Sequence, residues 1–319
     1  MKNKRVLVTG GSGFIGSHLV RGLRAKGADV AVTVRYGNIV KNIRLADWWN
    51  DIRIIEADVR NRGALEKIRD FAPQVVFHLA AYQHVGESFH QVEECFDVNA
   101  KGSANVFDAS VGAEKFIYVA TSEVYGYQDR VPFVETMEAQ PMSPYSISKY
   151  AGELYCRLQQ RIGGPMSIVL IRPFNAFGPY QSTKAIIPEL IVKCLHGQRI
   201  LTTRGEQTRE FNYVTNLTDG LIKAAEHPER IEGPMNLSAG EEIKIADLVR
   251  KIAEITNSQS KLEIGAIPYR PNEIWRMYGD ATRAHQILGW KPTVNLEQGL
   301  RLTVDWFREE IARGNPVIA

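Results

Sequence analysis

The stretch "VATSEVYG" (Val119–Gly126) places Thr121, Ser122 and Glu123 in a row directly behind an apolar run. Two hydroxyls and a lone carboxylate thus arrive where a buried strand ends. Further on, "SPYSISKYAGELY" carries Tyr145 and Lys149. At i, i+4 they share one face of a helix. A nearby ammonium favours a phenolate and lowers the phenol's pKa. Tyr145 then becomes a proton acceptor for a sugar or alcohol hydroxyl near neutral pH. Alone, Tyr-x-x-x-Lys is a common pair of surface helix residues, and Glu123 alone reads equally as a polar cap on a strand end. Their meaning depends on what else converges there.

The N-terminal "VTGGSGFIGSHL" spaces Gly10, Gly13 and Gly16 as G-x-x-G-x-x-G, with Phe14 and Ile15 between the last two. The pattern follows an apolar strand and opens a helix, the context in which glycines let a backbone turn tightly around a pyrophosphate. The helix N-terminus then supplies N–H groups and positive potential. The competing reading is an ordinary strand–helix turn. NAD sites often carry an acid ~20 residues on, at the end of the second strand, for the ribose 2′-hydroxyl. Here that strand ends Thr33–Val34–Arg35–Tyr36, with no acid. Arg35 suits a 2′-phosphate through a charge-assisted contact, or is a solvated surface arginine. NADP is the favoured cofactor, with NAD as the alternative. Asp58 and Val59 follow the third strand, where a side-chain acceptor meets adenine. Leu79, Ala80 and Ala81 are small or apolar residues at the end of the fourth, where a cofactor lies against strand ends. His78, just before them, reads as a packed core histidine.

These residues need a scaffold. Apolar runs at Lys4–Thr9, Asp29–Val34, Ile52–Ala57, Gln74–Ala80, Lys115–Thr121 and Ser167–Pro173 read as strands. They alternate with helical stretches at Ile15–Lys26, Asn61–Asp70, Gln91–Val111 and Tyr145–Arg161. Strands apolar on both faces, alternating with helices, imply a doubly wound parallel sheet covered on both sides. After about Asn175 elements shorten and prolines punctuate them. The expected division is a cofactor-binding domain over 1–175 and a smaller, mixed α/β substrate lobe over 176–319, with some segments returning to the first.

Composition narrows the class. The 319 residues are 44% hydrophobic and 24% charged, enough for a large core. The 39 basic and 36 acidic residues are interspersed, for a net +3, unlike the basic stripe of a nucleic-acid binder. Cys95, Cys156 and Cys194 lie far apart, which disfavours a disulfide framework or metal site and favours a reducing compartment. No run approaches the ~18 apolar residues of a membrane span. "MKNKRVLVTG" enters a strand at once, leaving no room for a signal peptide. A cytoplasmic protein without membrane or nucleic-acid partners is expected.

Taken together, the glycine turn, "TSEVYG", Tyr145-x-x-x-Lys149, "RPFNAFGP" and "LGWKP" occur in an order that resembles the extended short-chain dehydrogenase/reductase family, in its nucleotide-sugar epimerase/dehydratase branch. The resemblance covers essentially the whole chain. It implies a Rossmann-type domain, a bound nicotinamide cofactor and a nucleoside-diphosphate-sugar substrate. It assigns Thr121 to the sugar O4, Tyr145 and Lys149 to proton transfer and cofactor contact, and Asn175 to substrate. Ser122 adjoins that substrate. Arg209 in "QTREFNYV" and Arg270 in "YRPNE" match the diphosphate arginines. The family's usual homodimer pairs helices like Gln91–Val111 and Tyr145–Arg161.

The branch begins with oxidation at C4, for which Thr121 and Tyr145 suffice. An acid is needed only when chemistry continues next door. A 4-keto group acidifies the C5 proton, a carboxylate removes it, water leaves from C6 and hydride returns there. Glu123 stands where similar 4,6-dehydratases carry their catalytic Glu, whereas C4 epimerases tend to have a small or hydroxyl residue. Some dehydratases have Asp where Ser122 stands. "TSEVYG" also resembles uronate decarboxylases, which usually carry the acid missing after Val34. The leading expectation is therefore a nucleotide-sugar 4,6-dehydratase. A C4 epimerase ranks second, a decarboxylase third, and last a cofactor-sensing protein without chemistry, which should lack part of the Thr/Tyr/Lys set.

Overall fold

A computed structural model of the chain describes residues 1–35, 44–269 and 273–315. The apolar runs form strands β1 (Arg5–Thr9), β2 (Asp29–Val34), β3 (Arg53–Glu56), β4 (Val75–His78), β5 (Lys115–Val119) and β6 (Ser167–Pro173). A strand from the second half, Pro234–Leu237, completes a seven-stranded sheet in the order Pro234–Leu237, β6, β5, β4, β1, β2, β3. Every neighbouring pair is parallel. The chain thus winds outward from β1 in one direction and from β4 in the other. The crevice between their C-terminal ends is the switch point where such sheets bind ligands.

Strand alternation sorts the core into two layers. Val6 and Val8 face a cluster built with Leu19 and Leu23 of helix α1 (Phe14–Ala25) and Leu217 and Leu221 of helix Val214–Glu226. Leu7 faces the other cluster, with Phe71, Val106 and Cys156 from helices on the opposite side. The sheet is therefore the doubly wound, Rossmann-type one expected. Beyond residue 175, helix Val214–Glu226 and strand Pro234–Leu237 belong to this unit. Helix Thr282–Leu288 also packs on this unit through Ala284, while helices Ile186–Leu195, Ile245–Thr256 and Leu296–Ala312 close over a separate core that includes Ile191, Leu248, Leu300 and Phe307.

Two helices depart from their sequence periodicity. The stretch expected over Asn61–Asp70 begins with a 3₁₀ turn at Gly63–Leu65 and becomes α-helical only at Glu66–Phe71. Asn61 Oδ1 accepts the Gly63 and Ala64 N–H groups at 3.1 and 3.4 Å, a local bond that competes with the helix. The stretch over Gln91–Val111 is interrupted by a π turn at Asp97–Lys101. Such turns insert one residue into the helical ladder, and this one contains the buried Asn99. Among the described residues, no helix is long and apolar enough to cross a membrane, and no group of three ligating side chains can hold a metal. The three cysteines are free and buried.

Candidate active site

At the switch point lies a cleft of ≈ 460 Å³, whose wall includes Gly10, Gly13, Arg35, Asp58, Val59, Leu79, Ala80 and Ala81. The glycine turn is built for close approach. Gly10 has φ +68°, and a Cβ there would sit 2.7 Å from the Ala80 amide nitrogen. A Cβ on Gly16 would fall 2.3 Å from the Gly10 carbonyl oxygen. Helix α1 starts after Gly13 with no side-chain cap and no acid in its first turn, which includes Phe14, Ile15 and Gly16. An uncapped N-terminus of this kind suits a phosphate. These residues fit a dinucleotide cofactor.

Around the adenosine end the structure adds partners that spacing did not disclose. Asp58 is clasped by Arg60, whose backbone N–H and Nε both donate to Oδ1 at 2.9 Å. That bonding holds the Asp58 carboxyl below its ordinary range. Arg60 also donates to Glu94. Arg35 is exposed, and its Nη1 lies 3.9 Å from Glu94 Oε1. Arg44, Tyr82, Gln83 and His84 complete this part of the wall. His78 is a core residue as expected. It is fully buried, bonded to Thr9 Oγ1 at 2.7 Å, and pushed down to about 3 by burial.

The cluster that carries the chemistry forms where β5 ends. Thr121 Oγ1 accepts the Glu123 N–H at 3.2 Å and caps a 3₁₀ turn over Ser122–Tyr125. Helix Pro144–Ile162 starts with a reciprocal capping box, in which Ser143 Oγ accepts from Ser146 N and Ser146 Oγ accepts from Ser143 N. Pro144 fits the first helical position, where no N–H is needed. This start places Tyr145 in the first turn, where the helix dipole favours negative charge. The Thr121 hydroxyl stands close enough to the Tyr145 phenol to favour its ionised form. Lys149, one turn on, is buried and donates to the Val119 carbonyl at 2.7 Å.

One electrostatic expectation is corrected here. Lys149 was to hold the Tyr145 phenol low. Instead burial pushes the phenol up to about 12, against the pull of the Thr121 hydroxyl and with added push from Glu123. The Lys149 ammonium is engaged with a backbone carbonyl, and burial itself lowers it to about 8. The Glu123 carboxyl is raised above its ordinary range by burial, with Arg209 drawing it partly back. A carboxylate raised in this way is a stronger base than an exposed one.

The remaining substrate candidates divide. Ser122 is buried beside Thr121. Asn175 donates from Nδ2 to the Glu210 carbonyl at 3.1 Å. Arg209 is tied to Glu273 Oε1 at 2.7 Å and to the carbonyls of Thr208 and Ile274. Its charge is felt at Glu123. Arg270 lies outside the described residues.

Two supports were missed in the sequence. Asn99 Oδ1 accepts the Tyr82 N–H at 2.8 Å, while its Nδ2 reaches Tyr82 O at 3.1 Å and Ser148 Oγ at 3.0 Å. It therefore joins the cofactor-cleft wall to the helix of Tyr145. Glu153, fully buried, receives Nε and Nη2 of Arg172 at 3.0 and 2.7 Å and stands one turn after Lys149. The i, i+4, i+8 row Tyr145, Lys149, Glu153 carried that signal. Asn99 stands among other polar residues of its helix, and nothing local marked it.

A glycine turn on an uncapped helix at a switch point, facing a Thr–Tyr–Lys cluster, defines the extended short-chain dehydrogenase/reductase class. The family model described as GDP-mannose 4,6 dehydratase matches residues 7–303, and the chain belongs to that family. It is 31% identical to dTDP-D-glucose 4,6-dehydratase of Mus musculus over 320 residues, covering 96% of this chain and 89% of the relative. Among solved structures, UDP-glucose 4-epimerase of Thermotoga maritima with UDP-glucose superposes with a TM-score of 0.89. It is 30% identical, over 96% of this chain and 99% of the other. The UDP-glucose 4-epimerase of Thermus thermophilus in complex with NAD gives a TM-score of 0.85 at 30% identity, over 95% and 99%.

Proposed function

We propose that this enzyme is a nucleotide-sugar 4,6-dehydratase, with Thr121, Glu123, Tyr145 and Lys149 as its catalytic residues. The observation that carries the reading is Glu123. A carboxylate with raised basicity stands beside the Thr121–Tyr145 hydroxyl pair, where oxidation at C4 alone would need none. A bound nicotinamide would supply reversible hydride transfer between C4 and C6. Gly10, Gly13 and the start of α1 would hold its pyrophosphate, and Asp58 and Val59 its adenosine end. Tyr145 takes the O4 proton while Thr121 orients that oxygen. Lys149, charged below about pH 8, ties the helix of Tyr145 to the end of β5 through the Val119 carbonyl. Glu123 then removes the C5 proton, and the electron pair left at C5 expels hydroxide from C6, which departs as water with that proton. Once hydride is back at C6, C5 takes a proton from solvent through Glu123, balanced by the O4 proton that Tyr145 gives up to solvent. Asn175 and Arg209 are assigned to the sugar and diphosphate. Incubation with a panel of nucleotide sugars should give one product lighter by one water. A product of unchanged mass and altered stereochemistry overturns this in favour of the second reading, a C4 epimerase. That reading is favoured by the similarity to two UDP-glucose 4-epimerase structures.

NADP is the proposed cofactor. The support is the Thr33–Val34–Arg35 strand end, which offers a cation and no acid. Equal or tighter binding of NAD by the cofactor-free protein overturns the preference. A homodimer is also proposed. Helix Pro144–Ile162 exposes Ile147, Leu154, Leu158 and Ile162, an apolar stripe that a second copy would cover. Sedimentation velocity at micromolar concentration should give twice the chain mass, and a single-chain mass removes the dimer.

A further inference from the structure

Arg35 is not the cleft's only arginine. Arg44 also forms its wall, which includes Ser12 and Gly13 of the glycine turn and Thr33 near the end of β2. The two nearby acids, Asp58 and Glu94, are both engaged by Arg60. Arg60 thus occupies both acids of the cleft wall, and Arg35 and Arg44 are the arginines on the wall itself. Arg44 is partly buried, and that burial lowers its pKa. A desolvated cation is costly without an anionic partner.

What holds Arg44 there comes from far along the chain. Its Nε donates to the carbonyl of Tyr180 at 2.9 Å, and its own carbonyl accepts Nη2 of Arg21 at 2.7 Å. Tyr180 is a non-glycine residue at φ +66°. Such a conformation persists only where the surroundings over-determine it, and here they do. The Arg21 guanidinium lies 4.3 Å from its ring centroid, and the Trp306 ring of the smaller lobe packs at 4.7 Å. His18 of α1 meets the same ring edge-on and bonds the Pro179 carbonyl at 2.9 Å. The Nε bond to a carbonyl so constrained fixes the guanidinium at the wall.

We propose that Arg44 is a second determinant of cofactor selectivity, contacting the 2′-phosphate of NADP together with Arg35, and that Tyr180 is the positioning residue that aims it. This rests on the NADP reading above. A guanidinium held in a fixed plane is the group that matches phosphate oxygens geometrically.

Calorimetric titration of the cofactor-free dimer or monomer with 2′,5′-ADP and with 5′-AMP tests this without turnover. The wild type should prefer 2′,5′-ADP. Arg44→Met should lose about tenfold or more in affinity for 2′,5′-ADP, with the loss on 5′-AMP several-fold smaller. Arg44→Lys should recover part of it and should weaken more steeply with salt. Tyr180→Asn, which tolerates the left-handed conformation, should lower the ratio of the two affinities through the lost ring contacts. If the wild type binds both probes equally, the NADP reading falls and this inference with it. If the wild type prefers 2′,5′-ADP, and Arg35→Met abolishes the preference while Arg44→Met keeps it, only the role of Arg44 is overturned. Equal losses on both probes in Arg44→Met, with Arg44→Lys giving no recovery, reduce Arg44 to a packing residue and also overturn it.

Discussion

Glu123→Gln is expected to stop elimination while leaving oxidation at C4 intact. The amide keeps the size of the side chain and a hydrogen bond, and cannot accept the C5 proton. Removing a general base costs about 10²–10⁴-fold in rate. Glu123 also opposes ionisation of the Tyr145 phenol, so its neutralisation eases the first proton transfer. The variant should therefore accumulate reduced cofactor, seen as nicotinamide absorbance, on mixing with the nucleotide sugar that the wild type dehydrates. Solvent deuterium should enter C5 in the wild type and not in the variant. The wild-type rate should also fall on the acid side through a pKa above the ordinary glutamate range, because burial raises the Glu123 carboxyl and the base form is lost as pH falls through that value. A Glu123→Gln protein that turns over normally and yields a C4 epimer refutes the dehydratase assignment.

Tyr145→Phe should lose about 10²–10⁴-fold in kcat with KM nearly unchanged, since the lost hydroxyl acts chiefly in the transition state. Thr121 would keep its bond from the Glu123 N–H, so the strand end should not rearrange. Lys149 adds a pH signature. Burial lowers its pKa to about 8. The ammonium is present below that value and lost above it, so its charge-assisted hold on the Val119 carbonyl, which ties the helix of Tyr145 to the end of β5, should weaken and the rate fall as pH rises through about 8. Lys149→Met should be slow at all pH values and lack this alkaline limb. Near-wild-type turnover by Tyr145→Phe would show that another group takes the O4 proton.

How much of this was legible in the sequence follows from distance along the chain. The glycine turn, the strand ends and the Tyr145–Lys149 spacing are local. Backbone periodicity alone puts i and i+4 on one helix face and alternates Val6, Leu7 and Val8 between two layers. The capping box at Ser143 and Ser146 is local as well. The helices expected over 61–70 and 91–111 are present, but the first opens with a 3₁₀ turn after Asn61, whose side chain competes with the helical ladder, and the second carries a π turn around Asn99.

The unread features are long-range or electrostatic. Asn99 finds Tyr82, Arg209 finds Glu273, and Arg44 finds Tyr180, in pairings whose partners stand up to 136 positions apart. No periodicity encodes such pairings, because they exist only once the sheet has brought its strand ends together. The Tyr145 phenol makes the same point. Its spacing to Lys149 was fixed by sequence, and an ammonium one turn away argued for a low pKa. The sign was decided by tertiary structure, since burial in a low-dielectric site disfavours the charged form and the ammonium turned to the Val119 carbonyl. The sequence by itself determined which groups stand at the strand ends and on which face. Only the packed molecule decided which of them are buried, what neutralises them, and so how readily each gives up or takes a proton.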